Sequence, residues 1–556
     1  MLLKKHWTIL PAALVSELPN LRLSPLGVVP QHDRRPRTIV DYTFSSVNED
    51  TVIDAPTESM QFGRTLHRLL SRILHADPRF GHVYISKIDI ADGFYRIWLR
   101  ACDIPILGVL FPTVPGAPDL IGFPLTLPMG WVQSPPFFSA ATETVADLAN
   151  ASFATASAAP AHRLEVVAET ARPTSASPLP PPSATSVPLP CRHRPLGPSH
   201  SRQPLAYSDV YVDDFITLAQ GSTSRRRAVK RTILHALDLV FRPLSKTDDA
   251  HRQEPASVKK FLKGDGTFST TQTILGWVVD TVASTVCLPP RRLARLHEIL
   301  ASVPRPTRRV SAKHWHKVLG ELRSMVLALP GLRGLFSTLQ MAFQFPLDHG
   351  HRLRLDSNVH DFLDDFRWLA QELASRPTRI AELFPTRPIS LGACDASGSG
   401  MGGVLFLPNA FGHRSILWHQ PFLPSISAAL QSDRNPHGSI TNSDLELAGT
   451  IAHHDVLAHA LDVRERTLHN FHDNTPAVFW QRRGSRTTQG PSAYLLRLQA
   501  LHQRFHRYVP RHDYIPGPSN AMADDCSRFW HLSDAQLLTY FNSAYPQPVS
   551  WELSSL

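Results

Sequence analysis

Apolar and polar positions alternate along this chain with two different periods, and the changes of period outline its elements. Residues 83–99 predict two strand-like stretches around Asp89 and Gly93. Residues 207–219 run apolar, acidic, apolar, which predicts a hairpin with an acidic turn. Helical spacing follows over 225–241, then a short buried strand over 273–279 built on Ile274-Leu275-Gly276-Trp277-Val278. From 289 to about 373 the period is helical, with Pro304, Pro306 and Pro330 as breaks. A new pattern opens at Pro388. It predicts strands over 389–394, 402–407 and 415–418, then a helix over 443–461 with Asn442 or Ser443 as N-cap. A strand over 468–472, a helix over 494–508, a strand stub over 514–516 and a helix over 521–529 close it. One stretch follows neither period. Residues 151–204 are rich in Ala, Pro and Ser, with only Leu179 interrupting Pro178 to Pro182, and predict a disordered or extended insertion. No internal repeat is evident.

The 556 residues exceed one ordinary domain, so roughly two to four are expected. Lys and Arg number 57 against 47 Asp and Glu, a net charge of +10. That balance suits a polyanionic partner and equally suits a basic soluble protein without one. The five cysteines, Cys102, Cys191, Cys287, Cys394 and Cys526, are far apart and form no C-x-x-C pair. They argue against a disulfide scaffold or a zinc ribbon and for a reducing compartment, so an intracellular location, cytoplasm or nucleus, is expected. The first residues carry Lys4 and Lys5 but no sustained apolar core, and no run of about 18 apolar residues occurs, so neither a signal peptide nor a membrane span is expected.

Two groups of acids bring chemistry into the picture. Tyr211-Val212-Asp213-Asp214 sits between apolar arms. Adjacent carboxylates inside an apolar hairpin repel and need a proton or a cation to offset them, and oxygen ligands suit Mg²⁺. An exposed hairpin turn, which Asp also favours, is the alternative. Upstream, Asp89 lies at a strand end in Ile88-Asp89-Ile90, where it either faces solvent or meets Asp213 and Asp214 across neighbouring strands. Three carboxylates together would hold two Mg²⁺, one activating a primer 3′-hydroxyl and one taking the nucleotide phosphates. Beyond Pro388, Asp395 follows the apolar Leu391-Gly392-Ala393-Cys394, Glu446 lies on the helix opening at Thr441, Asp473 follows Asn470-Phe471-His472, and Asp524 follows Asn520-Ala521-Met522-Ala523. Singly, Glu446 and Asp524 read as exposed helix acids, and for Asp395 and Asp473 a helix cap or turn former is the alternative.

In order, these segments resemble the motifs of reverse transcriptases. Residues 24–48, with Arg37 and Asp41, are similar to the fingers motif, and the resemblance implies that Arg37 contacts the incoming triphosphate while Asp41 is structural. Residues 87–97 look like the motif of the first catalytic Asp, here Asp89, with Phe94 at the position of an aromatic gate against a 2′-hydroxyl. An ordinary core phenylalanine is the alternative there. Leu127 to Phe138, centred on Met129, Gly130 and Trp131, resembles the segment that holds template and nucleotide. Tyr211 to Asp214 is the Y-x-D-D box, and Leu275, Gly276 and Trp277 look like the primer-grip strand. Asp395, Glu446, Asp473 and Asp524 together resemble the D-E-D-D set of ribonuclease H, and Ile515 to Arg528 looks like its closing segment. The wording is nearest to DIRS-type and gypsy-type retrotransposon polyproteins. One departure is the length between Phe138 and Tyr211, where the family has a short helix and turn.

The resemblance implies an α+β fold: a right-hand polymerase followed by an α/β ribonuclease H-like domain. The expected domains are fingers and first palm over 1–150, the insertion over 151–204 and palm completion over 205–285. A helical thumb and connection over 286–387, the ribonuclease H-like domain over 388–535 and a C-terminal tail over 536–556 complete the chain. The implied function is RNA-directed DNA synthesis with hybrid ribonuclease activity. It uses two Mg²⁺ per active site, with Mn²⁺ able to substitute, on an RNA template, a DNA primer, an RNA–DNA hybrid and deoxynucleoside triphosphates. Rival readings are an inactive nucleic-acid-binding relic, which the insertion favours, and an RNA-dependent RNA polymerase, which Phe94 and the second acid set oppose. No aspartic-protease or integrase motif is evident, and the nearness of the fingers motif to Met1 suggests missing upstream sequence.

Overall fold

The computed structural model describes residues 4–31, 34–52, 54, 56–113, 115–165, 203–242, 254–261, 263–326, 328–343, 352–407, 413–484 and 490–555. They mix helix and strand and form two compact units, the first ending at Gln272 and the second beginning at Thr273. Among the described residues no helix is long and apolar enough to cross a membrane.

The strands of the first unit are β1 (Trp7–Pro11), β2 (Leu23–Gln31), β3 (Arg34–Val40), β4 (Tyr84–Asp89), β5 (Gly108–Leu110), β6 (Leu120–Pro124), β7 (Ala206–Tyr211) and β8 (Asp214–Ala219). They make a 5-stranded sheet ordered β1-β6-β5-β2-β3 and a 3-stranded antiparallel sheet ordered β4-β8-β7. The helix Thr223–Phe241 starts on Ser222, whose Oγ accepts from the Arg225 amide at 3.3 Å. Its residues Val229, Ile233, Leu237 and Phe241 recur every four positions, so they form one apolar stripe, and all are buried. That stripe and the helix Ser134–Ser152 pack together and cover the 3-stranded sheet through Ile88, Phe138, Val210 and Phe215.

In the second unit, which takes β9 (Thr271–Ile274) from Thr273 on, that strand, β10 (Trp277–Asp280), β11 (Thr285–Cys287) and β14 (Thr378–Arg379) form one sheet, and β12 (Arg309–Ser311) pairs with β13 (Arg352–Arg354). Helices Pro290–Ala301, Ala312–Met325 and Ser357–Ser375 lie among them. A 6-stranded mixed sheet follows, ordered β19-β18-β15-β16-β17-β20, from β15 (Pro388–Ala396), β16 (Gly400–Leu407), β17 (Arg414–Pro421), β18 (Thr467–His472), β19 (Val509–Tyr514) and β20 (Trp551–Ser554). Two neighbouring glycines of β16 set its layering. Successive strand residues face opposite sides. A Cβ on Gly402 would stand 2.5 Å from the Cys526 Cβ of helix Ala521–Arg528, and one on Gly403 would stand 3.1 Å from His453 Nδ1 of helix Asn442–Ala460. The two helices therefore press on opposite faces of the sheet, each against a bare backbone.

Several sequence expectations need correction. The insertion expected over 151–204 starts too early: the helix runs to Ser152, a 3₁₀ helix continues over Phe153–Ala158, and Phe153, Ala156 and Leu164 are buried in the core. The Ala/Ser composition masked these apolar anchors, and residues 166–202 lie outside the described residues. The expected second strand after Asp89 is the 3₁₀ helix Gly93–Arg96. The single strand expected over 273–279 is a hairpin, because Leu275 (φ 49°) and Gly276 (φ 79°) turn the chain between β9 and β10. From Thr273 onward the region read as palm completion over 205–285 belongs to the second unit, and the 286–387 region is part of that same unit and carries strands as well as helices. The N-cap of the helix predicted from 443 is Thr441, which forms a capping box with Asp444. The last strand near 514 lies at Val509–Tyr514, parallel to β18. The expected tail over 536–556 is no tail: helix Asp534–Ala544 buries Leu537 and Phe541 beside Trp551, and β20 pairs with β17.

Removing one of these anchors tests that last correction. Phe541→Ala, in a fully buried site against Trp551 and Tyr545, is expected to destabilise the second unit by about 3–5 kcal/mol in denaturant unfolding. An unchanged transition would show that the C-terminal segment does not belong to this core.

Candidate active sites

The first acid group is made by strand register. Asp89, the last residue of β4, lies opposite Asp214, the first of β8, which itself lies opposite Tyr211, the last of β7. The Ile90 amide donates to the Asp213 carbonyl at 3.2 Å, which ties the turn to the strand beside it. Val212 takes a left-handed backbone (φ 59°) in that turn. For a β-branched residue this costs about 1–3 kcal/mol and persists only where the surroundings impose it. The result is that carboxylate oxygens of Asp89, Asp213 and Asp214 lie within 4.8 Å of one another. Burial, with the charges of Asp213 and Asp214, pushes the Asp89 carboxyl up to about 6 against the opposing pull of Lys260. Burial and the charge of Asp214 also raise Asp213.

Lys260 went unnoticed in the sequence. The Ser257 amide donates to the Asp89 carbonyl at 2.9 Å, the Ala91 amide to the Pro255 carbonyl at 2.8 Å, and the short helix Val258–Phe261 then sets the Lys260 ammonium on Asp89 Oδ1. No local pattern signals this, because the placement comes from tertiary pairing of residues 255–257 with the end of β4.

The other residues singled out for this half scatter in role. Arg37 is in β3 opposite Val29, and its side chain lies outside the described ones. Asp41 accepts from the Thr43 and Phe44 amides and forms a turn. Phe94 is half-buried and packs against the core, its ring centroid 4.6 Å from that of Phe138. Met129 is 38% exposed. Gly130 has φ 102° and approaches the Val40 carbonyl so closely that a Cβ would stand 3.0 Å from it, and its own carbonyl accepts from Asn48 Nδ2 at 3.0 Å. Trp131 is buried and donates to Thr51 Oγ1. Leu275, Gly276 and Trp277 lie in the second unit, at the β9–β10 turn. A Cβ on Gly276 would collide with the Arg292 guanidinium, and the Trp277 ring is fully buried.

The second acid group gathers Asp395 from β15, Glu446 from the first turns of helix Asn442–Ala460, and Asp473 just past the end of β18, again within 4.8 Å of one another. β15 and β18 run parallel and adjacent, so their C-terminal ends carry two of the acids side by side. The acids line a cleft of about 390 Å³ with Asn442, Asn474 and Arg528. Asp524 does not belong to the three. It pairs with Arg528 at 2.5 Å, though its charge still bears on Asp395 and Asp473. Asp525 is engaged elsewhere, accepting from the Tyr540 and Tyr545 hydroxyls at 2.9 and 2.6 Å. Ser527 donates to Asp395 Oδ2 at 2.6 Å, a contact that nothing in the sequence marked. Burial and the charges of Asp395 and Asp473 push Glu446 up to about 9, and burial raises Asp395 and Asp473 as well.

Both groups offer only carboxylate oxygens, and Glu446 Oε2 is buried with no hydrogen-bond partner among the described residues. A buried, unsatisfied acceptor among like charges is costly as it stands. The donor set fits a hard divalent cation such as Mg²⁺.

No family model and no curated protein sequence matches this chain. Among solved structures, the foamy viral protease-reverse transcriptase dRH in complex with double-stranded DNA is similar at 14% identity and a TM-score of 0.43, over 92% of this chain and 67% of that one. The foamy viral protease-reverse transcriptase with double-stranded DNA is similar at 14% and 0.40, over 89% and 78%. Its complex with an RNA/DNA hybrid is similar at 15% and 0.40, over 88% and 50%.

Glu446 gives a pH test. Its carboxyl ordinarily titrates near 4.5 and here near 9, so without a cation its stabilising contribution is complete below pH 4.5 and is lost as pH rises through about 9. Glu446→Gln stays neutral throughout. In chelator at pH 8 the variant is expected to unfold at a higher temperature than the wild type, with the gap closing toward pH 5. Parallel stability curves across that range would contradict the raised value.

Proposed function

We propose that the chain is an RNA-directed DNA polymerase with ribonuclease H activity, which copies retrotransposon RNA into DNA and degrades the RNA strand. The observation that carries this reading is the twofold convergence of carboxylates. Asp89 meets Asp213 and Asp214, and Asp395 meets Glu446 and Asp473, each set drawn from segments distant in sequence to within 4.8 Å. The motif order along the chain supports the assignment of the first set to nucleotidyl transfer and the second to hydrolysis.

Asp89, Asp213 and Asp214 would hold two Mg²⁺, or Mn²⁺ in their place, and Asp395, Glu446 and Asp473, with Asp524 beside them, would hold the second pair. Such ions supply charge neutralisation and an activated hydroxyl or water. The chain's own residues do the rest. In the first site the rigid β4–β8–β7 register orients the carboxylates toward one point, which is where most of the catalytic effect lies in phosphoryl transfer. Arg37 binds the triphosphate of a deoxynucleotide, and the Met129–Gly130 backbone, held by Asn48, borders the nucleotide and template. The Phe94 ring, braced by Phe138, closes the space beneath the sugar. The motif order alone would give Leu275, Gly276 and Trp277 a role in primer support, with the buried Trp277 holding the turn in place. In the second site Ser527 fixes the Asp395 rotamer, and Glu446, raised by burial and its neighbouring acids, would hold a proton at neutral pH where no cation is bound. Hybrid recognition there goes through shape and 2′-hydroxyls.

Mg²⁺-dependent extension of a DNA primer on an RNA template, run with the purified chain, tests the reading. The double variant Asp213→Asn, Asp214→Asn is expected to lose extension by about 10³-fold or more while still cleaving hybrid RNA. Asp395→Asn is expected to do the reverse. Folded wild-type protein that extends nothing with Mg²⁺ or Mn²⁺ would point to an inactive nucleic-acid-binding relic, and extension with ribonucleotides alone would point to an RNA polymerase.

A further inference from the structure

Outside the two carboxylate sites, a third group of ligating side chains stands on two packed helices of the second unit. Helix Asn442–Ala460 carries Asp455, and helix Pro491–His506 carries His502 and, one turn on, His506. Residues four apart share a helix face, so both imidazoles approach the neighbouring helix from one side. One ligand atom from each of Asp455, His502 and His506 lies within 4.8 Å of the other two. His502 Nε2 is 3.0 Å from Asp455 Oδ1, and the His502 and His506 ring centroids are 4.3 Å apart. Tyr508 Oη lies 3.0 Å from His502 Nδ1, the kind of outer partner that fixes the orientation of a ligating imidazole. His506 makes ring contacts with His502, His459 and Phe505 and no hydrogen bond among the described residues.

A second His/Asp group shows what such a site is not. His162 and His235 also approach Asp238, but the Arg163 guanidinium grips that carboxylate with two bonds of 2.5 and 2.7 Å. A fixed cation already stands where an ion would go. The ion-pair partners of Asp455 among the described residues are imidazoles, His459 at 3.5 Å and His502 at 3.0 Å. Asp455 and His502 also line an apolar cleft of about 720 Å³ with Trp368, Ile451, Leu498 and Phe505. That wall lowers the local dielectric and strengthens coordination.

We propose that Asp455, His502 and His506 bind a transition-metal ion of the Zn²⁺ class, with water in the fourth position. Two imidazole nitrogens and one carboxylate oxygen match the ligand types and number of an open four-coordinate zinc site, whereas the two all-carboxylate sites favour Mg²⁺. The ion would clamp the two helices together. His459 is 73% exposed on its side chain and stands outside the ligand set.

Titration of the full chain with Co²⁺, followed by visible absorption, tests this. One equivalent is expected to give the intense d–d bands of a four-coordinate site, and Zn²⁺ is expected to abolish them by displacement. His506→Ala and His506→Gln are expected to weaken binding by about 100-fold or more while keeping the metal-free circular dichroism of the wild type. Zn²⁺ should raise the unfolding temperature of the wild type and leave that of the His506 variants unchanged. The bands should persist in His459→Ala and in the Asp213→Asn, Asp214→Asn and Asp395→Asn variants, whose oxygen-rich sites give only weak six-coordinate spectra. Absence of the bands, their retention in either His506 variant, or their loss in the carboxylate or His459 variants would overturn the proposal.

Discussion

Gathering like charges is the constraint on which both candidate active sites depend. At about 4 Å two carboxylates repel by roughly 1 kcal/mol in water and about 4 kcal/mol near a protein surface, so flexible segments would separate them. Here the backbone leaves them no such freedom. The pairing of Asp89 with Asp214 is a ladder position, not a side-chain choice, and the parallel pairing of β15 with β18 sets Asp395 near Asp473 in the same way. The packing behind the sheets turns that register into a rigid frame. Phe138, Phe215 and Ile233 are fully buried behind the first site, and Leu405, Leu468 and Trp418 behind the second.

The second site shows how far the packing goes to serve this end. Glu446 must come from a helix on one face of the sheet, while Ser527, which fixes Asp395, comes from a helix on the other. Both helices reach the sheet only because Gly402 and Gly403 offer no side chain to either face. Four imidazoles, His453, His454, His472 and His512, fill the space near β18 and are all buried. Burial lowers each of them, so they pack as neutral rings and add no positive charge beside Asp473.

Glu446 and Asp524 read singly as exposed helix acids and were picked out only by the resemblance, whereas Asp213 and Asp214 stood out locally in the sequence as an acidic pair between apolar arms, and Asp89, Asp395 and Asp473 as acids at the ends of apolar runs. The helix Thr223–Phe241 was legible for the same reason, since its stripe at 229, 233, 237 and 241 needs no partner to be seen. What escaped notice depends on pairing between distant segments. Lys260 reaches Asp89 only because residues 255–257 bond to the end of β4, and Ser527 reaches Asp395 only across a sheet face. The C-terminal residues looked like a tail because β20 is short, and its identity as a strand comes entirely from β17. Residues 151–165 misled through composition, since the buried apolar positions Phe153, Ala156 and Leu164 hide among alanines and serines.

The cations nearest the two acid groups carry the last step of synthesis. Among the described residues each site holds a basic side chain, the Lys260 ammonium on Asp89 and the Arg528 guanidinium beside Asp395 and Asp473. A single positive charge cannot neutralise three ionised carboxylates. Burial and the remaining charge displace Asp89, Asp213, Asp395, Glu446 and Asp473 upward, most at Glu446, the most deeply buried of them, whose Oε2 is buried without a partner among the described residues. In each site the protein has thus arranged more negative charge than its own side chains balance. Protons or cations must supply the difference, and an oxygen-only donor set is of the kind that suits a hard divalent cation.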